Sequence, residues 1–240
     1  MSSAERDGGA QTAVLVGPPG RRRRQPVKRI LVVDDHPIVR DGLKQVVARS
    51  GNLSVEGEAG TAEEALALVA RDEWDLVVLD ITLPGRSGID LLRDLRRLKP
   101  ALPVLILSVH PEEEFAVRAI KAGAEGYLRK DCAAADLVAA IEVVLTGRKF
   151  ISPSVAERLA EDVQRESGRP LHERLSNREL EVVSLIAGGK TTKEIAAILS
   201  VSKSSVSTYR QRILEKLSLH STGEITRYAV EHGLVTWVTG

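Results

Sequence analysis

Short apolar runs alternate with longer amphipathic stretches between residues 28 and 150. The runs predict five strands, at residues 30–33, 53–59, 76–79, 104–107 and 126–128. The stretches have helical periodicity and predict helices at residues 37–50, 61–72, 88–98, 112–122 and 133–145. Strands that alternate with helices in this way predict a parallel sheet with helices on both faces. We therefore expect an α/β, doubly wound, five-stranded parallel domain over residues 28–150.

The strand signal disappears in residues 175–240. Four amphipathic helices are predicted there, at residues 177–187, 192–199, 204–217 and 222–232. Ser176 and Glu179 have the spacing of a capping box at the start of the first of them. A short turn at residues 200–202 lies between the second helix and the third, and two helices joined by so short a turn cross steeply. We expect an all-α, four-helix, helix-turn-helix domain.

Two further segments lack a regular apolar pattern. Residues 1–27 are rich in Ser, Gly, Pro and Arg and are expected to be a disordered basic tail. Their cluster of arginines at residues 21–24 is either solvated or a phosphate-binding arm. Residues 151–174 are expected to be a linker with a helical segment at residues 153–163.

The composition narrows the class of protein. Of the 240 residues, 43% are hydrophobic and 28% are charged, which is typical of a soluble globular protein. The single cysteine excludes a disulfide framework and any zinc site built from cysteines. No apolar run is long enough to span a membrane or to act as a signal peptide, so we expect a cytoplasmic protein without a membrane partner. The net charge is only +1, so any affinity for nucleic acid must be local.

Acidic side chains follow two of the predicted strands. Asp34 and Asp35 come directly after the first strand, and Asp80 ends the third. In the common strand order 2-1-3-4-5, the first and third strands are neighbours, and ligands bind beyond their carboxyl ends. Three converging carboxylates repel one another unless a cation joins them, and an all-oxygen ligand set suits Mg²⁺.

The other strand ends supply a hydroxyl and an ammonium group. Ser108 ends the fourth predicted strand, and Lys130 follows the fifth. Each residue alone has an ordinary explanation as a helix cap, a loop residue or a surface charge. Together, a carboxylate nucleophile, a divalent ion, a hydroxyl and an ammonium group indicate a phosphoryl-transfer site.

The motifs resemble those of a known family. The segments 31–37 (LVVDDHP), 78–85 (VLDITLPG), 107–108 (LS) and 126–130 (GYLRK) are similar to a bacterial response-regulator receiver domain, whose fold is flavodoxin-like. The segments 175–179 (LSNRE), 193–196 (KEIA) and 206–210 (VSTYR) are similar to the LuxR-type helix-turn-helix. Together they resemble the NarL/FixJ family of two-component regulators over all but the first 27 residues.

The resemblance implies a role for each matching residue of the first domain. It implies that Asp80 is the phosphoacceptor, that Ser108 and Lys130 contact the phosphoryl group, and that Tyr127 is the switching aromatic. The Mg²⁺ ligands it implies are Asp80, Asp35, Asp34 through water, and the backbone carbonyl of Thr82. The phosphoryl donor is then a sensor histidine kinase. We expect no enzyme activity beyond phosphoryl acceptance and slow dephosphorylation of the chain itself.

The resemblance also implies that the second domain binds double-stranded DNA and regulates transcription. The helix predicted over residues 204–217 is then the recognition helix. The expected phosphate contacts are Lys203, Arg210, Arg212 and Lys216, and the expected base contacts are Ser207, Thr208 and Gln211. A phosphorylation-dependent homodimer is expected, and RNA polymerase is a further candidate partner.

Three other classes of protein compete with this interpretation. A phosphatase of the haloacid dehalogenase type needs an acid two residues after its nucleophile, where this chain has Thr82. A LuxR regulator that senses a small molecule needs an apolar pocket, which the predicted α/β domain does not offer. A pure interaction protein without phosphorylation does not need the acidic, hydroxyl and ammonium groups. The presence of the intact set in this chain argues against that class.

Two details bear on the chemistry. Val109 follows Ser108 where the family usually has a small residue, and we hypothesise that it slows exchange of the phosphoryl group with water. The five histidines are scattered along the sequence, and most are expected to be single surface residues.

Overall fold

The computed structural model describes residues 26–164 and 170–235. The predicted tail over residues 1–27 lies outside the described residues except for its last two. The strands are β1 (Lys28–Val33), β2 (Leu53–Ala59), β3 (Leu76–Leu79), β4 (Val104–Ser108) and β5 (Gly126–Arg129). They form one parallel sheet in the order β2-β1-β3-β4-β5. The prediction of a doubly wound, five-stranded parallel sheet is confirmed.

Five helices flank this sheet, and each lies where the periodicity placed it, to within two residues at either end. They are α1 (Pro37–Ala48), α2 (Ala62–Arg71), α3 (Gly88–Leu98), α4 (Glu112–Lys121) and α5 (Ala134–Leu145). Helix α2 shows how the sequence sets a helix start. The Thr61 side chain accepts a hydrogen bond from the backbone N–H of Glu64 and so satisfies one of the free donors of the first turn.

The core of the sheet positions the carboxyl ends of its central strands. Strands β3 and β4 are buried along their whole length, as expected for strands covered by helices on both faces. In the register of β1 with β3, Val33 lies opposite Leu79. Asp34 and Asp80 each follow directly after these residues, so they lie side by side at the carboxyl edge of the sheet.

The C-terminal domain is helical, as predicted. Its helices are α7 (Asn177–Ala187), α8 (Thr192–Ile198), α9 (Lys203–Leu217) and α10 (Thr222–Glu231). The capping box of Ser176 and Glu179 is present at the start of α7. A short 3₁₀ helix (Leu171–Arg174), which the sequence pattern did not predict, precedes α7 and packs against α9.

The segment between the two domains begins with helix α6 (Pro153–Gln164), which extends the predicted helical segment by one residue. Helix α6 packs against α4, and its Val155 is fully buried. Within residues 26–164 and 170–235, every helix is too short or too polar to cross a membrane.

Candidate functional site

The acidic groups predicted from the strand ends lie together. The ammonium nitrogen of Lys130 is 2.7 Å from Asp34 Oδ2 and 2.7 Å from Asp80 Oδ2. Both aspartates are almost completely buried. An ammonium group between two buried carboxylates reduces their mutual repulsion, which is otherwise strong in a poorly solvated pocket.

The pocket has the donor set of a divalent-cation site. Ligand atoms of Asp34, Asp35, His36 and Asp80 lie within 4.8 Å of one another. Asp35 Oδ1 is buried and has no hydrogen-bond partner among the described residues, although His36 Nδ1 lies 2.7 Å away. Three carboxylates against one ammonium group leave a negative excess, and oxygen donors suit Mg²⁺. The residues therefore fit the expected ion, and His36 is a neighbour that the sequence did not indicate.

Burial controls the ionisation of the central carboxylate. Removal of Asp80 from water raises its pKa to about 6, against the attraction of Lys130, and the nearby charge of Asp34 acts in the same direction as burial. Burial alone lowers the pKa of the Lys130 ammonium group, but Asp80 and Asp34 outweigh it and raise the pKa. Lys130 is thus held in its charged form beside the carboxylates.

The backbone after Asp80 is tightly packed. The N–H of Thr82 donates a hydrogen bond to Asp80 Oδ1 at 3.2 Å, which fixes the carboxylate. The N–H of Gly88 donates to the carbonyl of Ile81 at 2.6 Å. A Cβ atom at position 88 would lie 2.0 Å from the backbone oxygen of Asp80, so only glycine allows this approach. The backbone carbonyl of Thr82 stays a predicted metal ligand.

Ser108 and Tyr127 both form side-chain hydrogen bonds to the backbone of His110, a residue to which the sequence pattern gave no role. Ser108 is fully buried, and its Oγ accepts a hydrogen bond from the backbone N–H of His110 at 3.2 Å. The Tyr127 hydroxyl donates to the carbonyl of His110 at 3.0 Å. Burial raises the pKa of Tyr127, so its hydroxyl keeps its proton. Three of the five histidines are exposed, in agreement with the expectation for most of them, whereas His110 and His172 are buried.

The helix predicted to read DNA presents its polar side chains to solvent. Helix α9 buries Val206, Ile213 and Leu217 against its own domain. The exposed residues on the rest of its surface include six of the predicted DNA contacts: Lys203, Ser207, Thr208, Arg210, Gln211 and Arg212. The seventh predicted contact, Lys216, lies 2.6 Å from the buried Glu179 and so also joins α9 to α7.

The two domains contact each other beside the acidic pocket. Arg178 in α7 donates from Nη2 to the carbonyl of Leu83 at 3.0 Å, and the N–H of Gly85 donates to the carbonyl of Leu199 at 3.0 Å. Asn177 donates to Asp90 Oδ1 at 2.9 Å. The C-terminal domain is therefore attached to the loop that begins at Asp80 and to α3, which follows it.

A second contact joins the C-terminal domain to α4. The Arg118 guanidinium donates to the carbonyl of Leu175 at 2.8 Å and to that of His172 at 2.6 Å. Glu114 Oε2 lies 3.4 Å from His172 Nε2. These contacts use the 3₁₀ helix and Leu175, the residue directly after it. They leave the polar surface of α9 exposed, so the N-terminal domain does not cover the predicted recognition helix.

Comparison with known proteins identifies both domains. Residues 30–142 match the model of the response regulator receiver domain, and residues 173–229 match that of the luxR family of bacterial regulatory proteins. The response regulator GacA of Pseudomonas viridiflava is 38% identical over 86% of this chain and 97% of its own length. The response regulator UvrY of Escherichia coli K12 is 32% identical over 85% of this chain and 94% of its own length.

Solved structures agree with this assignment. A two-component response regulator of the LuxR family from Aurantimonas sp. SI85-9A1 is 42% identical, with a TM-score of 0.53, over 58% of this chain and 99% of that chain. A structure of two RcsB dimers bound to two parallel DNAs is 25% identical, with a TM-score of 0.53, over 85% of this chain and 98% of that chain. The chain belongs to the NarL/FixJ-type response regulators, in which a receiver domain is joined to a LuxR-type DNA-binding domain.

Proposed function

We propose that Asp80 accepts a phosphoryl group from a sensor histidine kinase and that this modification regulates transcription through the C-terminal domain. The observation that carries the proposal is the position of Lys130, whose ammonium nitrogen is 2.7 Å from both Asp80 and Asp34. Because the Lys130 ammonium group already lies beside Asp80, it can pair with a transferred phosphoryl group without first moving in from solvent.

The transfer is a displacement at phosphorus. A carboxylate oxygen of Asp80 forms the new P–O bond, and the bond to the donor breaks, so that the donor leaves with its electron pair. Asp34, Asp35, Asp80 and the carbonyl of Thr82 are the groups that would hold Mg²⁺, which when bound neutralises charge on the phosphoryl oxygens. Lys130 then pairs with a phosphoryl oxygen, and the Ser108 hydroxyl donates a hydrogen bond to another.

The same pocket explains why the chain is not expected to turn over a substrate. The acceptor is a residue of the chain itself, so each molecule accepts one phosphoryl group and returns to its starting state only by hydrolysis. Thr82 stands two residues after Asp80. Its hydroxyl is too weak an acid to protonate a leaving group and too weak a base to remove a proton from water. We infer slow dephosphorylation rather than phosphatase activity on added substrates.

The C-terminal domain supplies the output. Exposed cations on α9, among them Lys203, Arg210 and Arg212, support binding to the phosphates of double-stranded DNA, and Ser207, Thr208 and Gln211 are the proposed base contacts. RcsB dimers have been seen on DNA. We extend this to a phosphorylation-dependent homodimer in the cytoplasm, with RNA polymerase as a further candidate partner.

Acetyl phosphate with Mg²⁺ tests the proposal in a single experiment on the full chain. Wild type should form phosphoprotein, gain dimer mass and retain DNA more strongly. Asp80→Asn removes the nucleophile while it keeps the shape of the side chain, and should do none of these. Phosphoprotein formation by Asp80→Asn at the wild-type rate would assign the phosphoryl group to another residue, and none in wild type would reject the proposal.

A further inference from the structure

His110 contacts three residues of the phosphoryl-transfer pocket at once. Its backbone N–H donates to Ser108 Oγ at 3.2 Å, and its carbonyl accepts from the Tyr127 hydroxyl at 3.0 Å. Its side-chain Nε2 lies 2.9 Å from Thr82 Oγ1. The side-chain bond joins the loop after β4 to the loop after β3, and these loops follow Ser108 and Asp80 respectively.

The imidazole of His110 is held in place by the residues packed around it. It is buried and stacks on the Phe115 ring, with ring centroids 4.2 Å apart and an angle of 11° between the planes. The bond between His110 and Thr82 therefore lies in a dry environment, where losing a partner is costly.

Phosphorylation acts directly on one of these contacts. If Asp80 is phosphorylated, as proposed above, the Ser108 hydroxyl turns towards a phosphoryl oxygen. The N–H of His110 then loses its acceptor, and a buried N–H without an acceptor is unfavourable. The loop has to move to restore a partner, and the bond from His110 to Thr82 opposes that movement.

The ring of His110 also leads to the DNA-binding domain. Its stacking partner Phe115 lies in α4 between Glu114 and Arg118 in the sequence. Arg118 donates to the carbonyls of His172 and Leu175, so α4 holds the segment that precedes α7. A shift of the loop at His110 is passed to α4 through the stacked rings, because packed side chains transmit displacement.

We propose that His110 is a positioning residue that ties the two loops of the pocket together in the unphosphorylated chain. The tie limits how readily Asp80 takes up and keeps a phosphoryl group, and its release loosens the contact between α4 and residues 171–175. This inference rests on the proposed function and deepens it, because it names what sets the balance between the two states of the receiver domain.

Two variants break the same hydrogen bond from opposite sides. His110→Phe keeps an aromatic ring to stack on Phe115 but removes the bond to Thr82. Thr82→Val removes the hydroxyl and leaves the backbone carbonyl of residue 82 in place. The double variant completes a mutant cycle, and His220→Phe applies the same substitution to an exposed histidine as a control.

The readout is the steady-state ratio of phosphorylated to unphosphorylated full-length chain, in acetyl phosphate with Mg²⁺. Each single variant should raise this ratio about fivefold, which is the effect of one net hydrogen bond. The double variant should raise it no further, and His220→Phe should match wild type. Effects that multiply in the double variant, or single variants that equal wild type, would overturn the proposal.

Hydrogen exchange of residues 171–176 supplies a second readout that a merely structural role does not predict. In wild type the amides should exchange faster after phosphorylation, and in the unphosphorylated single variants they should already exchange faster. Unchanged exchange in both would refute the link to α4. If His110→Phe does not fold, Thr82→Val tests the same bond. Failure of wild type to take up a phosphoryl group would instead reject the proposed function.

Discussion

Arg178, in the first helix of the DNA-binding domain, donates a hydrogen bond to the backbone carbonyl of Leu83 in the receiver domain, at 3.0 Å. Leu83 lies three residues after Asp80. The same guanidinium pairs with the buried carboxylate of Glu181 at 2.7 Å. The Arg178–Glu181 pair of one domain is thus buried against the loop that follows Asp80 in the other, and removal of one member leaves the other without its buried partner.

Glu181 should make the stability of the chain depend on pH. Burial raises its pKa to about 7 from 4.5, against the attraction of Arg178. Between these values the folded chain keeps the proton and the unfolded chain loses it. The free energy of unfolding should therefore fall as the pH rises from about 4.5 to about 7, by at most about 1.4 kcal/mol per pH unit from this group.

Denaturant unfolding of wild type and Glu181→Gln at pH 5, 6, 7 and 8 checks this expectation. Gln does not titrate, so the difference between the two proteins isolates Glu181 from other groups such as Asp80. Relative to Glu181→Gln, wild type should lose stability as the pH rises to 7. Glu231→Gln makes the same change at an exposed position of α10 and should show no such trend. A flat difference for Glu181→Gln would show that the carboxyl is ionised throughout.

Gly88→Ala should damage the pocket through the backbone. The new methyl group would lie 2.0 Å from the carbonyl oxygen of Asp80, which cannot move without disturbing β3. We expect a loss of stability of about 1–3 kcal/mol or more, together with slower phosphorylation of Asp80. Gly42→Ala is the matched control, because no atom of the described residues lies within 4 Å of a Cβ there and position 42 is within α1. That change should stabilise the chain by about 0.5–1 kcal/mol. Equal thermal midpoints for the two variants would contradict the close packing at Gly88.

Val109 should control the lifetime of the phosphoryl group. Its side chain is 57% exposed directly after the buried Ser108, so it lies at the surface beside the pocket without contributing to the core. Our hypothesis is that a branched side chain in this position restricts the approach of water to phosphorus. Val109→Ala should therefore dephosphorylate faster than wild type while the thermal midpoint stays the same. Equal phosphoryl lifetimes in the two proteins would refute the hypothesis.

The elements that the sequence predicted well are those with a strong local pattern. All five strands and the ten α-helices of the described residues match apolar periodicity, and capping residues such as Thr61 and Ser176 mark helix starts. The convergence of Asp34, Asp80 and Lys130 was also predictable. It follows from strand order alone, because parallel strands place their carboxyl ends at one edge of the sheet.

Residues whose role depends on contacts between distant segments were not found in this way. His110 and His172 have no local pattern that distinguishes a buried histidine from a surface one. Arg178 stands in a capping-box sequence that explains the start of α7 without any partner in the receiver domain. The 3₁₀ helix Leu171–Arg174 has a single turn, which is too short to show a period. Only tertiary packing reveals these four features.

The contrast between Arg210 and Lys216 tests the DNA-binding surface. Both lie on α9, but Arg210 is exposed, whereas Lys216 pairs with the buried Glu179 at 2.6 Å. Arg210→Ala should weaken binding to every duplex and reduce the slope of log K against log salt by about 1, because one phosphate contact is lost. Lys216→Ala should chiefly lower the thermal midpoint, because it leaves the Glu179 carboxylate without its cation. Binding measured between about 50 and 200 mM salt, a range over which the affinity from phosphate contacts falls steeply, separates the two. An unchanged slope in Arg210→Ala would remove that residue from the phosphate contacts, and a reduced slope in Lys216→Ala would show that its ammonium group leaves Glu179 to bind DNA.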